Sequence, residues 1–128
     1  SLDFDIREFV KIKEAILALP LERSVLLNLC LPAEELFVNI CSYAFPDGAP
    51  EDEKIGFTLS FSDHVEMRFI DGGQRYNPLE NVITAEEYDC DKQIGGLGKF
   101  ISFSLMDDAK YEYRGNKNTL TIKKFFND

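Results

Sequence analysis

The stretch VEMRFIDGGQRYNPLE (residues 65–80) decides how this chain is read, because an alternating apolar strand runs straight into Asp-Gly-Gly. Val65, Met67 and Phe69 share one face of a strand of period two, and in unbroken register Asp71 joins them. Asp-Gly is a common hairpin signal, so an ordinary turn is one reading of the stretch. The register supplies the other. A carboxylate aimed at the core is costly unless something donates hydrogen bonds to it, and an acceptor-only group in an apolar crevice suits a ligand amine such as the exocyclic amine of adenine. Gly73 would let the backbone approach a flat ring with no Cβ in the way.

Working outward, Ile55, Phe57, Leu59 and Phe61 alternate with small or polar residues as a half-buried strand, joined to the next through a turn at Ser62-Asp63. Upstream the period is helical. Asp5 with Glu8 has the spacing of a capping box, and Ile6, Phe9, Val10, Ile16 and Leu17 predict a helix over 6–19 that Pro20 ends. A second helical segment covers 22–44, with Leu29, Leu36, Ile40 and Ala44 as its buried stripe. Pro32 inside it predicts a kink, or a better-formed helix starting at that proline. FPDGAPEDE (45–53) reads as a polar loop. Downstream, residues 72–96 are irregular, and Leu97, Phe100, Ile101 and Leu105 then recur at helical spacing. Tyr111 and Tyr113, then Leu120 and Ile122, form a closing hairpin around Gly115-Asn116. The order ααββ, loop, αββ predicts one α+β domain over 1–128: a two-layer sandwich whose mainly antiparallel mixed sheet carries helices on one face.

Composition narrows the function. The chain has 128 residues, 45% hydrophobic with eleven Phe, which suffices for a single core. A net charge of −9 argues against direct nucleic-acid binding, which demands a basic face. A polyphosphate ligand would therefore be held through a divalent cation and backbone amides. Cys30, Cys41 and Cys90 are odd in number and form no CxxC pair, which fits reduced cytoplasmic thiols better than a disulfide framework or zinc site. No apolar run is expected to span a membrane, and no signal peptide opens the chain.

Three further features bear on chemistry. Glu35 and Asn39 lie one turn apart on the second helix, about 40° around its axis, and set a carboxylate base beside an amide oxygen. On its own such a pair is usually a solvated face. Gly95, Gly96 and Gly98 in IGGLGKF (94–100) precede a predicted helix, whose first amides suit phosphate oxygens, although a glycine cluster alone is most often a flexible joint. Asn118 shares an inward strand face with Leu120 and Ile122, where satisfaction by nearby backbone is the ordinary outcome. His64, beside Asp63, is expected to be exposed.

Taken in order, these elements resemble the ATP-binding superfamily shared by gyrase, histidine kinases and heat-shock chaperones, and most of all the small anti-sigma-factor serine-protein kinases of bacterial partner-switching systems. Glu35 through Phe45, as E-x-x-x-N-x-x-x-Y-A-F, is similar to that family's N-box. D-G-G-Q-R-Y-N-P (71–78) is similar to its D-x-G box with the following aromatic-Asx-Pro, and G-G-L-G-K-F (95–100) to its glycine-rich lid. The resemblance implies that Glu35 is the general base, that Asn39 gives an oxygen to Mg²⁺, and that Asp71 accepts from the adenine amine with Gly73 below the ring. It also implies that Gly95, Gly96, Leu97 and Gly98 contact the phosphates, and that Tyr43 and Asn118 belong to the nucleotide's surroundings. Relatives often carry a proline where Gln74 or Arg75 stands and a Thr where Asn118 stands, and the segment before the first helix is short for an edge strand. By the same resemblance the protein is expected to be a cytoplasmic, homodimeric Ser/Thr kinase that uses ATP and Mg²⁺. It would phosphorylate a STAS-domain anti-anti-sigma protein and sequester a sigma factor or similar target. The alternatives are a non-catalytic ATP-sensing module and the ATP-binding piece of a larger sensor kinase.

Overall fold

The N-terminal helical signal resolves into two elements. The computed structural model describes residues 1–78 and 104–126. Asp5 Oδ1 accepts the Arg7 amide at 2.9 Å, while Glu8 reaches past Asp5 to accept the Asp3 amide at 3.2 Å. The capping box is therefore displaced: a 3₁₀ turn, Ile6–Glu8, precedes α1, Phe9–Leu17. Helix α2, Arg23–Tyr43, runs through Pro32 without ending or restarting there. Pro32 cannot donate to the Asn28 carbonyl, but its ring is fully buried on the stripe that packs inward.

Helix α2 is 21 residues long with a mean hydropathy of 1.4, so by length and composition it would pass for a membrane span. That corrects the expectation that no run reaches this length. Its apolar content has a use inside the fold, because Leu26, Leu29, Cys30, Ala33, Leu36 and Phe37 join the core formed with the sheet. Each of the leucine and phenylalanine side chains among them contributes about 1.5–3 kcal/mol on full burial. Cys30 and Cys41 are free thiols; burial pushes the Cys41 thiol up to about 11, away from the reactive thiolate.

The strands are β1 (Gly56–Phe61), β2 (His64–Asp71), β3 (Asp108–Arg114) and β4 (Lys117–Phe125). They form one antiparallel sheet in the order β1-β2-β4-β3. The mainly antiparallel α+β sandwich expected from the sequence is the architecture found. Gly115 and Asn116 close the β3–β4 hairpin with φ of +59° and +61°, the left-handed pair that a two-residue type I′ loop needs. Ahead of the helices, Leu2 and Ile55 form an isolated antiparallel bridge, an abbreviated edge strand whose two amide–carbonyl bonds are 2.8 and 2.7 Å. His64 is half-buried beside Asp63, its ring nitrogen 2.7 Å from that carboxylate, rather than exposed. The helix expected after GGLG falls largely on residues 79–103, outside the described residues.

Register then places the polar groups. Met67 pairs with Ile122 and Phe69 with Leu120, all four buried under the helices. The next inward pair along the same two central strands is Asp71 with Asn118. On the opposite face Glu66 sits 3.6 Å from Lys123 and 3.7 Å from Arg68, a solvated charge lattice of small individual worth.

Candidate functional site

Two polar side chains continue an otherwise apolar stripe. Asp71 and Asn118 are each 5% exposed, the buried polar residues among those described. Asp71 Oδ1 accepts the Gly73 amide at 2.9 Å and the Asn118 amide nitrogen at 3.0 Å. The first bond is an Asx turn, so the Asp-Gly-Gly segment is a turn whose aspartate also faces inward. Burial pushes the Asp71 carboxyl above its usual range, opposed by those two donors. Among the described residues no hydrogen bond reaches Oδ2. Asp71 lines a cleft whose walls include Leu36, Ile40, Phe69 and Leu120. Apolar walls around one acceptor are the surroundings a flat heterocycle with an exocyclic amine fits.

The loop after Asp71 is bound to the end of α2. Gln74 donates its backbone amide to the Ala44 carbonyl at 2.8 Å and its side-chain amide to the Tyr43 carbonyl at 2.7 Å. Two of the helix's terminal carbonyls are satisfied this way. A Cβ on Gly73 would stand 2.4 Å from the Ala44 oxygen and 2.5 Å from its Cβ. The need for glycine at 73 thus has a source that the sequence did not show: contact with the helix end, beside whatever a ligand requires.

Asn39, half-buried, lines the same cleft. Its amide nitrogen donates to Glu35 Oε1 at 3.5 Å, and among the described residues no hydrogen bond reaches Asn39 Oδ1. One protein oxygen is enough for Mg²⁺, which keeps waters and takes its other ligands from phosphates. Among the described residues no group of three His, Cys, Asp or Glu could hold a metal unaided. Glu35 stands one turn before Asn39 on α2. Tyr43 is half-exposed, its ring 5.3 Å from that of Tyr76, and is not among the cleft's lining residues. Gly95, Gly96, Leu97 and Gly98 lie outside the described residues.

Asn118 lines the cleft, but its polar atoms are engaged by protein. Its Oδ1 accepts the Tyr76 amide at 3.1 Å and the Tyr111 hydroxyl, while Nδ2 also donates to the Gln74 carbonyl at 2.9 Å. Gln74, Tyr76 and Tyr111 carry no site role in the sequence reading. Tyr111 left a signal: it pairs with Leu120 on the inward face, and an inward Tyr hydroxyl needs a polar neighbour.

Asn39, Asp71 and Asn118, far apart in sequence, thus line one cleft, while Glu35 stands one turn before Asn39 and is not among the lining residues. No curated protein matches the chain. The histidine kinase-like ATPase domain family does match, over residues 4–124. The match spans nearly the whole chain, and the protein belongs to that family of ATP-binding domains.

Proposed function

We propose that this protein is an ATP-dependent Ser/Thr kinase of the anti-sigma type, acting on a STAS-domain anti-anti-sigma partner and otherwise holding a sigma factor or similar regulator. The observation that carries the reading is the Glu35–Asn39 pair, one turn apart on α2, with Asn39 opening onto the cleft that ends at Asp71. In this reading the adenine amine donates to Asp71 Oδ2 and the triphosphate runs toward Asn39. The lid residues Gly95 to Gly98 supply amides to the phosphates. Mg²⁺, when bound, neutralises phosphate charge, and Asn39 Oδ1 would be its protein ligand.

The partner's Ser or Thr hydroxyl attacks the γ-phosphorus as Glu35 takes its proton. A new O–P bond forms, the bond to the β-phosphate oxygen breaks, and ADP leaves with that electron pair. Little of this is covalent chemistry for the protein, so the gain comes from positioning and electrostatic stabilisation. The resemblance further supports a cytoplasmic homodimer.

Incubation with Mg-ATP and a STAS-domain protein tests the proposal. Wild type should transfer phosphate to a Ser or Thr of the partner, and Glu35→Gln should abolish transfer while keeping ATP affinity. Normal transfer by that variant would remove Glu35 from the base role. Stoichiometric capture of the partner with no phosphorylated product would favour an ATP-sensing module, in which nucleotide biases partner affinity by about 1–3 kcal/mol.

A further inference from the structure

We propose that Asn118 and Tyr111 form a latch that fixes the Asp71 carboxylate and so makes the cleft selective for 6-aminopurines over 6-oxopurines. The inference rests on the adenine reading of the cleft and assigns to both residues a positioning role rather than direct contact with the base. Asp71 Oδ1 is held from two sides, by the Gly73 amide at 2.9 Å and Asn118 Nδ2 at 3.0 Å. The orientation of Asn118 is itself fixed. Turning its amide over would set Oδ1 against Asp71 Oδ1 and discard the donors from Tyr111 and Tyr76 on one side and the bond to the Gln74 carbonyl on the other. The Tyr111 hydroxyl donates to Asn118 Oδ1, and burial pushes its pKa further up.

The consequence is chemical. With Oδ1 occupied, Oδ2 is the oxygen left to accept, and an acceptor-only group welcomes a 6-amino hydrogen while it opposes a 6-oxo lone pair. Sites that hydrogen-bond a specific substrate group reject analogues lacking it far more strongly than apolar pockets reject a changed shape. A carboxylate free to rotate would lose that discrimination, because it could turn both oxygens away from the base.

Calorimetric titration with ADP and with IDP in Mg²⁺ buffer reads the ratio of the two affinities. Wild type should prefer ADP by about 100-fold or more. Tyr111→Phe, which removes one hydroxyl, should reduce the ratio about 3–10-fold, and Asn118→Leu should bring it to within about threefold of unity, as expected for losing one or all of the latch's hydrogen bonds. Asn118→Asp separates position from bulk. The introduced carboxylic acid donates to Asp71 Oδ1 only while protonated, so its ADP/IDP ratio should stand near wild type at acidic pH and fall as pH rises. Glu53 and Lys117 act on Asp71, and Arg75 and Tyr113 on Tyr111, in the parent protein too; the change must therefore appear in the variant alone. If Asn118→Leu does not fold, Tyr111→Phe and Asn118→Asp decide. Variants that weaken ADP and IDP equally, leaving the ratio at wild type, would overturn the latch. Asp71→Asn is the control for the underlying reading: lost discrimination there with intact ratios in the latch variants overturns the latch alone, and an intact ratio there overturns both.

Discussion

Gly73→Ala probes how the loop after Asp71 is seated on α2. The added Cβ would lie 2.4 Å from the Ala44 oxygen, 2.5 Å from its Cβ and 2.7 Å from its carbonyl carbon. Two of these three atoms are backbone at the end of a 21-residue helix, so no side-chain rotation relieves them. Gly73 is not left-handed, and the cost is therefore one of space. Overpacking of this kind costs about 1–3 kcal/mol. If the loop backs away, the 2.8 Å bond from Gln74 to Ala44 is weakened, which adds about 0.5–1.5 kcal/mol. The sum is about 1.5–4.5 kcal/mol, and for 128 residues at about 2.1 cal/mol/K each it lowers the melting temperature by about 6–17 °C. Urea denaturation of wild type and variant measures it. Ala44→Gly in the same background removes the 2.5 Å contact but not the 2.4 Å one, so it should recover less than half of the loss. A cost for Gly73→Ala below about 0.5 kcal/mol, the level of an ordinary surface change, would refute the reasoning.

Two other perturbations separate stability from binding. Burial raises the native pKa of Asp71, so its contribution to stability is present below the ordinary carboxyl range and is lost as pH rises through the native value. Asp71→Asn keeps an oxygen for the Gly73 and Asn118 donors without the buried charge; in denaturation at pH 7.5 and pH 4 it should be at least as stable as wild type at the higher pH, with the advantage shrinking at the lower. At the far hairpin, Gly115 has φ +59° and open space around it, so Gly115→Ala should cost about 1–2 kcal/mol in the same assay through backbone strain alone and leave nucleotide affinity unchanged.

The fold was legible where periodicity and register govern. The alternation through Val65, Met67 and Phe69 carried Asp71 inward, and the same reasoning carried Asn118 inward from Leu120 and Ile122. The helix pattern placed Glu35 and Asn39 on one face. Other details depend on contacts between segments distant in sequence, which periodicity does not encode. Gln74 capping α2 and Gly73 packed on Ala44 are of this kind. Asn118 shows the limit most clearly: its inward direction followed from strand register, but what its amide bonds depended on Tyr76 and Tyr111 arriving beside it. Helix α2 illustrates the opposite error. Pro32 reads locally as a break, yet burial of its ring among core side chains outweighs one missing backbone bond.

A crystal structure of the protein with ADP and Mg²⁺ tests the central claim most directly. The base should lie between α2 and the ends of β2 and β4, with its 6-amino nitrogen about 2.7–3.2 Å from Asp71 Oδ2 and Oδ1 still held by Gly73 and Asn118. A base seated elsewhere, or an Asp71 carboxylate that makes no contact with it, would rule out Asp71 as the adenine acceptor.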